Sequence, residues 1–157
     1  MMRRLSVTVS SEEAMERLGS RLAHSAGAGD YIALSGELGA GKTTLARGAL
    51  HGLGYEGVVK SPTYTIVESY GLGARTVHHL DLYRVAQAQE LEYFGIWDYF
   101  DDESVKFVEW PERGSGVLPE PDVMVTIRVE DSKRLVSISA LTCAGSRIIE
   151  RMEASEE

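Results

Sequence analysis

Cysteine is almost missing from these 157 residues. Cys143 stands alone, which excludes an internal disulfide and any multi-cysteine zinc site. It falls in an apolar strand-like run, Leu135 to Cys143, and is read as a small core residue. Long apolar stretches are missing too, and none approaches the roughly 20 residues of a membrane span. Behind Met1-Met2-Arg3-Arg4-Leu5, the hydroxyls and carboxylates from Ser6 to Glu13 leave no room for the apolar segment of a signal peptide. The expectation is a cytoplasmic protein with no membrane association. Positive charge is scarce as well. Sixteen Lys and Arg stand against 24 Asp and Glu, a net charge of −8, so the basic footprint of a nucleic-acid binder is missing. If RNA is involved, another protein holds it.

Against these absences one stretch stands out, Gly36-Glu37-Leu38-Gly39-Ala40-Gly41-Lys42-Thr43, with Thr44 directly after it. Two glycines five apart, then lysine and a hydroxyl residue, form the phosphate-cradling pattern. Glycine lets successive N–H groups converge on the α- and β-phosphates of a nucleotide. Lys42 then supplies a point charge for the β/γ-phosphates and Thr43 Oγ a ligand for Mg²⁺. This chemistry needs a strand before the loop and a helix after it. Tyr31 to Ser35 reads as a buried strand, and Leu45, Ala46, Ala49, Leu50 and Leu53 repeat at helical spacing. No Asn-Lys-x-Asp guanine-reading motif is present, which points to ATP.

Around the loop the pattern predicts one α/β domain over residues 1–157, a P-loop fold in three layers. Its central sheet is mixed and mostly parallel, with the nucleotide at the strand C-terminal ends. Leu5, Val7 and Val9 alternate as a strand. Ser10 with Glu13 reads as a capping box for a helix bearing Ala14, Leu18 and Leu22. Pro62 makes Val58 to Thr65 a loop edge. Tyr64–Tyr70 and Thr76–Leu82 read as a hairpin about Gly71 to Ala74, Gln87–Phe94 as a helix, and Ser104–Glu109 as an apolar strand ending in a carboxylate. Val123–Val129 and Leu135–Cys143 form a second hairpin, Ser146–Met152 a last helix, and Glu153–Glu157 a frayed acidic tail.

A P-loop site needs a further acidic group at the end of a neighbouring strand to hold Mg²⁺. Glu109 and Asp81 are the candidates. Glu109 alternatively pairs with Lys106 or Arg113, and Asp81 with Arg84, as solvated ion pairs of small value. His78 and His79 are adjacent, so they point to opposite faces of a strand and cannot share one metal; the reading is one buried, hydrogen-bonded histidine and one exposed. Arg84 serves a phosphate or anchors a carboxylate, and Trp110 packs or stacks near the nucleotide. No Ser/His/Asp arrangement or paired metal-binding histidines or cysteines occur.

Taken together, five segments resemble the TsaE (YjeE) family: the glycine-rich loop, Ser61-Pro62-Thr63-Tyr64-Thr65, His79-Leu80-Asp81-Leu82-Tyr83-Arg84, Glu90-Leu91-Glu92 with Asp98-Tyr99-Phe100, and Glu109-Trp110-Pro111-Glu112-Arg113. The resemblance runs from about Ser10 to Ser139 and departs from the family pattern at His78 and Leu80, which bears on strand packing. It implies a weak ATPase needed for threonylcarbamoyladenosine in tRNA, acting with TsaD and TsaB to reset that complex and reaching tRNA through them. On matching positions, Gly36, Gly39, Ala40, Gly41, Lys42, Thr43 and Thr44 would hold phosphates, Thr43 and Glu109 the Mg²⁺, and Asp81 the attacking water. Thr63 would belong to a γ-phosphate-sensing loop, Trp110 would lie by the site, and Ser11 and Arg134 would flank the adenine. A small-molecule kinase and a nucleotide-dependent binding module are the other readings of a lone P-loop. For the kinase, residues 87–102 are the one insertion able to form a lid, and they carry no Arg or Lys.

Overall fold

In the computed structural model, which describes residues 2–155, the long helices are α1 (Glu12–Ser25), α2 (Lys42–Gly52) and α4 (Cys143–Ala154). A single turn, α3 (Glu90–Tyr93), and two 3₁₀ turns, Ile96–Tyr99 and Pro111–Gly114, complete the helical parts. The strands are β1 (Arg4–Val9), β2 (Tyr31–Ser35), β3 (Val67–Leu72), β4 (Arg75–Asp81), β5 (Val105–Glu109), β6 (Val123–Glu130) and β7 (Lys133–Ala140).

They form one seven-stranded sheet in the order β1-β7-β6-β2-β5-β4-β3. Its centre, β6-β2-β5-β4, is parallel. Both margins are antiparallel, where β3 folds back on β4 and the β6–β7 hairpin carries β1 on its outer edge. The mixed sheet is thus parallel where it is buried on two faces, and its continuous apolar strands follow from that. One face carries Ile32, Leu34, Val77 and Phe107 beneath the long helices. The other carries Tyr31, Ala33, Leu80 and Val108 beneath the short ones, with Leu91 and Ile96 as anchors.

Helices α1 and α2 touch backbone to backbone. A Cβ on Gly48 would lie 2.2 Å from the Glu16 carbonyl oxygen, and one on Gly19 would lie 2.0 Å from that of Leu45. Only a hydrogen fits at these two crossings, so α2, which follows directly on the glycine-rich loop, is seated rigidly against α1.

Several expectations are corrected. The cap of α1 is Ser11, whose hydroxyl accepts from Ala14 N at 3.1 Å, and not Ser10 in a box with Glu13. Cys143 is exposed rather than in the core. Strand β7 stops at Ala140, and Thr142 caps a helix by accepting from Gly145 N, which leaves Cys143 on its first turn. That helix continues through Glu153 and Ala154, so they do not fray, while Glu156 and Glu157 lie outside the described residues. The helix expected over Gln87–Phe94 shrinks to one turn, Glu90–Tyr93, and the Glu90 carboxylate holds the residues before it in a turn by accepting from Ala86 N and Gln87 N. Finally, neither histidine is exposed. His78 is buried with Nδ1 at 2.7 Å from Ser69 Oγ and its ring edge-on to Tyr99, and His79 is wholly buried on the other face.

Candidate functional site

The site grows out of the C-terminal ends of β2, β5 and β4. In register, Leu34 lies beside Glu109 and Glu109 beside Asp81, so two carboxylates stand next to each other at the end of the parallel centre. Period-2 alternation puts both on the face beneath α2. The loop from Gly36 to Gly41 rises from β2 and closes at Gly41, whose φ of +118° makes the turn into α2 and would strain any residue with a Cβ.

Lys42 is buried. Its ammonium donates to the carbonyls of Gly36 and of Glu37 (3.2 Å) and sits 4.0 Å over the Trp110 ring. Burial lowers its proton affinity, while Glu109 and Asp81 pull the other way. Thr43 Oγ1 donates to Glu109 Oε2 at 3.0 Å. That same carboxylate oxygen lies 2.7 Å from His79 Nε2. Asp81 is equally engaged, with Oδ2 accepting from Ser61 Oγ and Thr63 Oγ1, each at 3.1 Å, and Oδ1 accepting from Tyr83 N at 2.9 Å. Tyr83 in turn packs on Trp110 with 5.0 Å between ring centroids.

Lys42, Thr43, Thr63, Asp81, Glu109 and Trp110 surround a cavity of about 380 Å³. A second cavity of about 150 Å³ lies on the far side of the loop, walled by Ser11, Met15, Ala40, Thr44 and Arg134. Glu12, Gly39, Gly41 and Thr44 border both, so the two are neighbours. Arg134 also donates to the Ala40 carbonyl at 3.0 Å and braces the loop from β7. Of the residues read from sequence as site members, Gly39, Gly41, Lys42, Thr43, Thr44, Thr63, Asp81, Glu109 and Trp110 line the first cavity and Ser11, Ala40 and Arg134 the second, while Gly36 reaches the site through the carbonyl that Lys42 holds.

The competing ion pairs are not formed. Lys106 points to the opposite face, where its ammonium donates to the carbonyls of Gly29, Asp101 and Ser104. Arg113 turns to the Val85 carbonyl at 3.3 Å, and Arg84 is exposed against the Tyr64 ring at 4.8 Å. The residue that sequence reasoning did not bring to the site is His79. Its place was marked by being two residues before Asp81, on the same face of the same strand.

The family model described as "Threonylcarbamoyl adenosine biosynthesis protein TsaE" matches residues 9–136. This chain belongs to the TsaE family. A Haemophilus influenzae protein named tRNA threonylcarbamoyladenosine biosynthesis protein TsaE is 50% identical over 118 residues, 75% of either chain. The Bacillus subtilis protein of the same name is 38% identical over 72% of this chain and 71% of its own. A crystal structure of Bacillus subtilis YdiB superposes with a TM-score of 0.86 at 28% identity, covering 100% of this chain and 99% of that one. The TsaE-family match takes in the loop, both carboxylates and Arg134. No helix among the described residues is long and apolar enough to cross a membrane.

Proposed function

We propose that this chain hydrolyses Mg-ATP slowly and acts in threonylcarbamoyladenosine formation on tRNA, with TsaD and TsaB as partners that its turnover resets. The name borne by its relatives supports the pathway. The observation that carries the chemistry is the convergence of Lys42, Thr43, Asp81 and Glu109 on one cavity at the strand ends. Its donor set fits Mg²⁺: a hydroxyl and one carboxylate are hard oxygen ligands, and Mg²⁺ in phosphate sites takes one or two protein oxygens beside water and phosphate. No cluster of three or more His, Cys, Asp or Glu that would suit a softer metal occurs among the described residues.

In this reading Lys42 exchanges its bonds to the Gly36 and Glu37 carbonyls for phosphate oxygens. Thr43 and Glu109 would hold the ion, which would neutralise charge on the phosphoryl group when bound. Asp81 orients the attacking water once Ser61 and Thr63 release its Oδ2, which ties the state of that loop to turnover. Trp110 and Tyr83 wall the cavity from solvent, and Ser11 with Arg134 receive the base. Among the described residues no arginine borders the cavity of Lys42 and Asp81. Without that last donor for the developing charge a P-loop enzyme is slow, and a partner supplies or orders it. The net charge of −8 suits docking on a protein and disfavours direct contact with tRNA.

The kinase reading needs a lid over the phosphates. Residues 87–102, the segment that would form it, line no part of the cavity and pack instead on the opposite face of the sheet. The test is ATP hydrolysis by the protein alone, with the TsaD–TsaB pair, and with Lys42→Ala. Slow turnover that rises with the pair and vanishes in the variant supports the reading. Turnover indifferent to the pair, or phosphate delivered to a small molecule, overturns it.

A further inference from the structure

His79 has no part in the chemistry outlined above, yet it is the closest partner of Glu109. We propose that His79 is a positioning residue that aims the Glu109 carboxylate at the cation. This rests on the Mg²⁺ reading of the site.

Both side chains are buried, His79 with none of its surface exposed and Glu109 with 3%. An ionised carboxylate only accepts, so at 2.7 Å the His79 Nε2 must carry the hydrogen. The bonding thereby assigns the Nε2–H tautomer. Nδ1 is buried and has no hydrogen-bond partner among the described residues.

The side chains that hydrogen-bond the Glu109 carboxylate are Thr43 and His79, and both reach Oε2, at 3.0 and 2.7 Å. Oε1 keeps only the 3.3 Å contact from Thr43 and is the oxygen left for a cation. Strand geometry supplies the aim, because His79 and Asp81 share a face of β4 and Glu109 lies opposite Asp81 on β5. One strand thus delivers both the residue that faces water and the residue that turns the metal ligand. Partners of this kind are commonly worth 10–100-fold in metal affinity.

The experiment titrates Mg²⁺ into the protein saturated with a fluorescent ADP analogue, for wild type, His79→Ala and His79→Gln. In the His79→Ala protein the Mg²⁺ midpoint is expected to rise about tenfold, with analogue affinity in chelator unchanged. Gln restores a hydrogen-bond donor and recovers most of the loss. A second readout needs no variant: ¹⁵N NMR of the wild-type imidazole is expected to find Nε2 protonated and Nδ1 bare, and the opposite tautomer overturns the proposal even if every variant misfolds. A His79→Ala midpoint equal to wild type also overturns it and leaves the Mg²⁺ reading standing. If wild type itself binds the analogue without regard to Mg²⁺, the metal reading falls and this inference falls with it.

Discussion

Replacing Asp81 by asparagine separates the proposed chemistry from architecture, because the carboxylate carries a proposed catalytic job beside its structural one. It is 3% exposed and accepts three hydrogen bonds, from Ser61 Oγ, Thr63 Oγ1 and Tyr83 N. Asparagine keeps Oδ1 for Tyr83 N and presents an NH₂ to two hydroxyls that can rotate to accept. The loop stays anchored, and stability should change by no more than about 1 kcal/mol, the net value of an ordinary hydrogen bond. Asp81→Ala instead leaves the Tyr83 N–H without its acceptor and frees the loop, whose Ser61 and Thr63 hydroxyls keep only each other, at a cost of about 1–3 kcal/mol. Chemistry follows a different order. If Asp81 orients the attacking water, both variants lose one preorganised group, which corresponds to about 3 kcal/mol of barrier or 10²–10³ in rate. The assay is single-turnover release of γ-phosphate with protein in excess over ATP, beside equilibrium binding of a fluorescent nucleotide. The expected result is unaltered binding and a slow Asp81→Asn protein whose urea midpoint matches wild type. Turnover of Asp81→Asn within about threefold of wild type would refute the role assigned to Asp81 and favour a binding module in which hydrolysis is incidental.

Gly48→Ala should destabilise the protein by about 3 kcal/mol, since its Cβ would meet the Glu16 carbonyl at 2.2 Å and force α1 and α2 apart; urea denaturation measures it, and an unchanged midpoint would mean the helices yield freely. With Trp97 replaced by Phe, ATP should change the emission of Trp110, because Lys42 must leave its place 4.0 Å above that ring, and Lys42→Met should abolish the change. Asp101 is held down to about 2, chiefly by the backbone N–H of Ser104, then by the Ser104 hydroxyl and Glu103 N. A depressed carboxylate contributes above its unfolded value near 3.9 and loses that contribution as pH falls toward 2. Asp101→Ala should therefore cost roughly 1 kcal/mol at pH 7, after discounting for solvent exposure, and progressively less below pH 4 in denaturant titrations.

How much of this was legible in the sequence follows the range of the interactions. The loop, β2 and α2 rest on local spacing, so Gly36 to Leu53 reads directly and the structure agrees within a residue. Strand β5 reads as well, because burial on both faces leaves a continuous apolar run. Misreadings arose where one side chain decided the outcome. Ser11 and Ser10 are equally good caps on paper, and the direction of one hydroxyl chose between them. Thr142 ended an apolar run that would otherwise carry Cys143 into a strand. The pair His78 and His79 reads as one buried and one exposed, since nothing local says that Tyr99, twenty-one residues on from His78, packs against it and that both are buried. The pairing of β1 with β7 joins segments over 120 residues apart and has no local trace.

The polar groups assigned to nucleotide and metal share one property: each is satisfied within the protein itself. Lys42 is held by the carbonyls of its own loop, Thr43 by Glu109, and Asp81 by Ser61 and Thr63. An unpaired buried lysine or carboxylate costs several kcal/mol, so a site of this depth is stable without ligand only if such substitutes exist. Those substitutes must then be displaced together, because Lys42 contacts the Trp110 ring, Trp110 packs on Tyr83, and the Tyr83 N–H holds Asp81. A ligand that draws Lys42 away loosens the wall that positions Asp81, and a partner that moves the Ser61–Thr63 loop frees the same carboxylate from the other side. On the proposed reading, nucleotide and partner would act on one residue through separate contacts. Hydrolysis would then wait for both, and a protein with an intact P-loop would stay slow until docked.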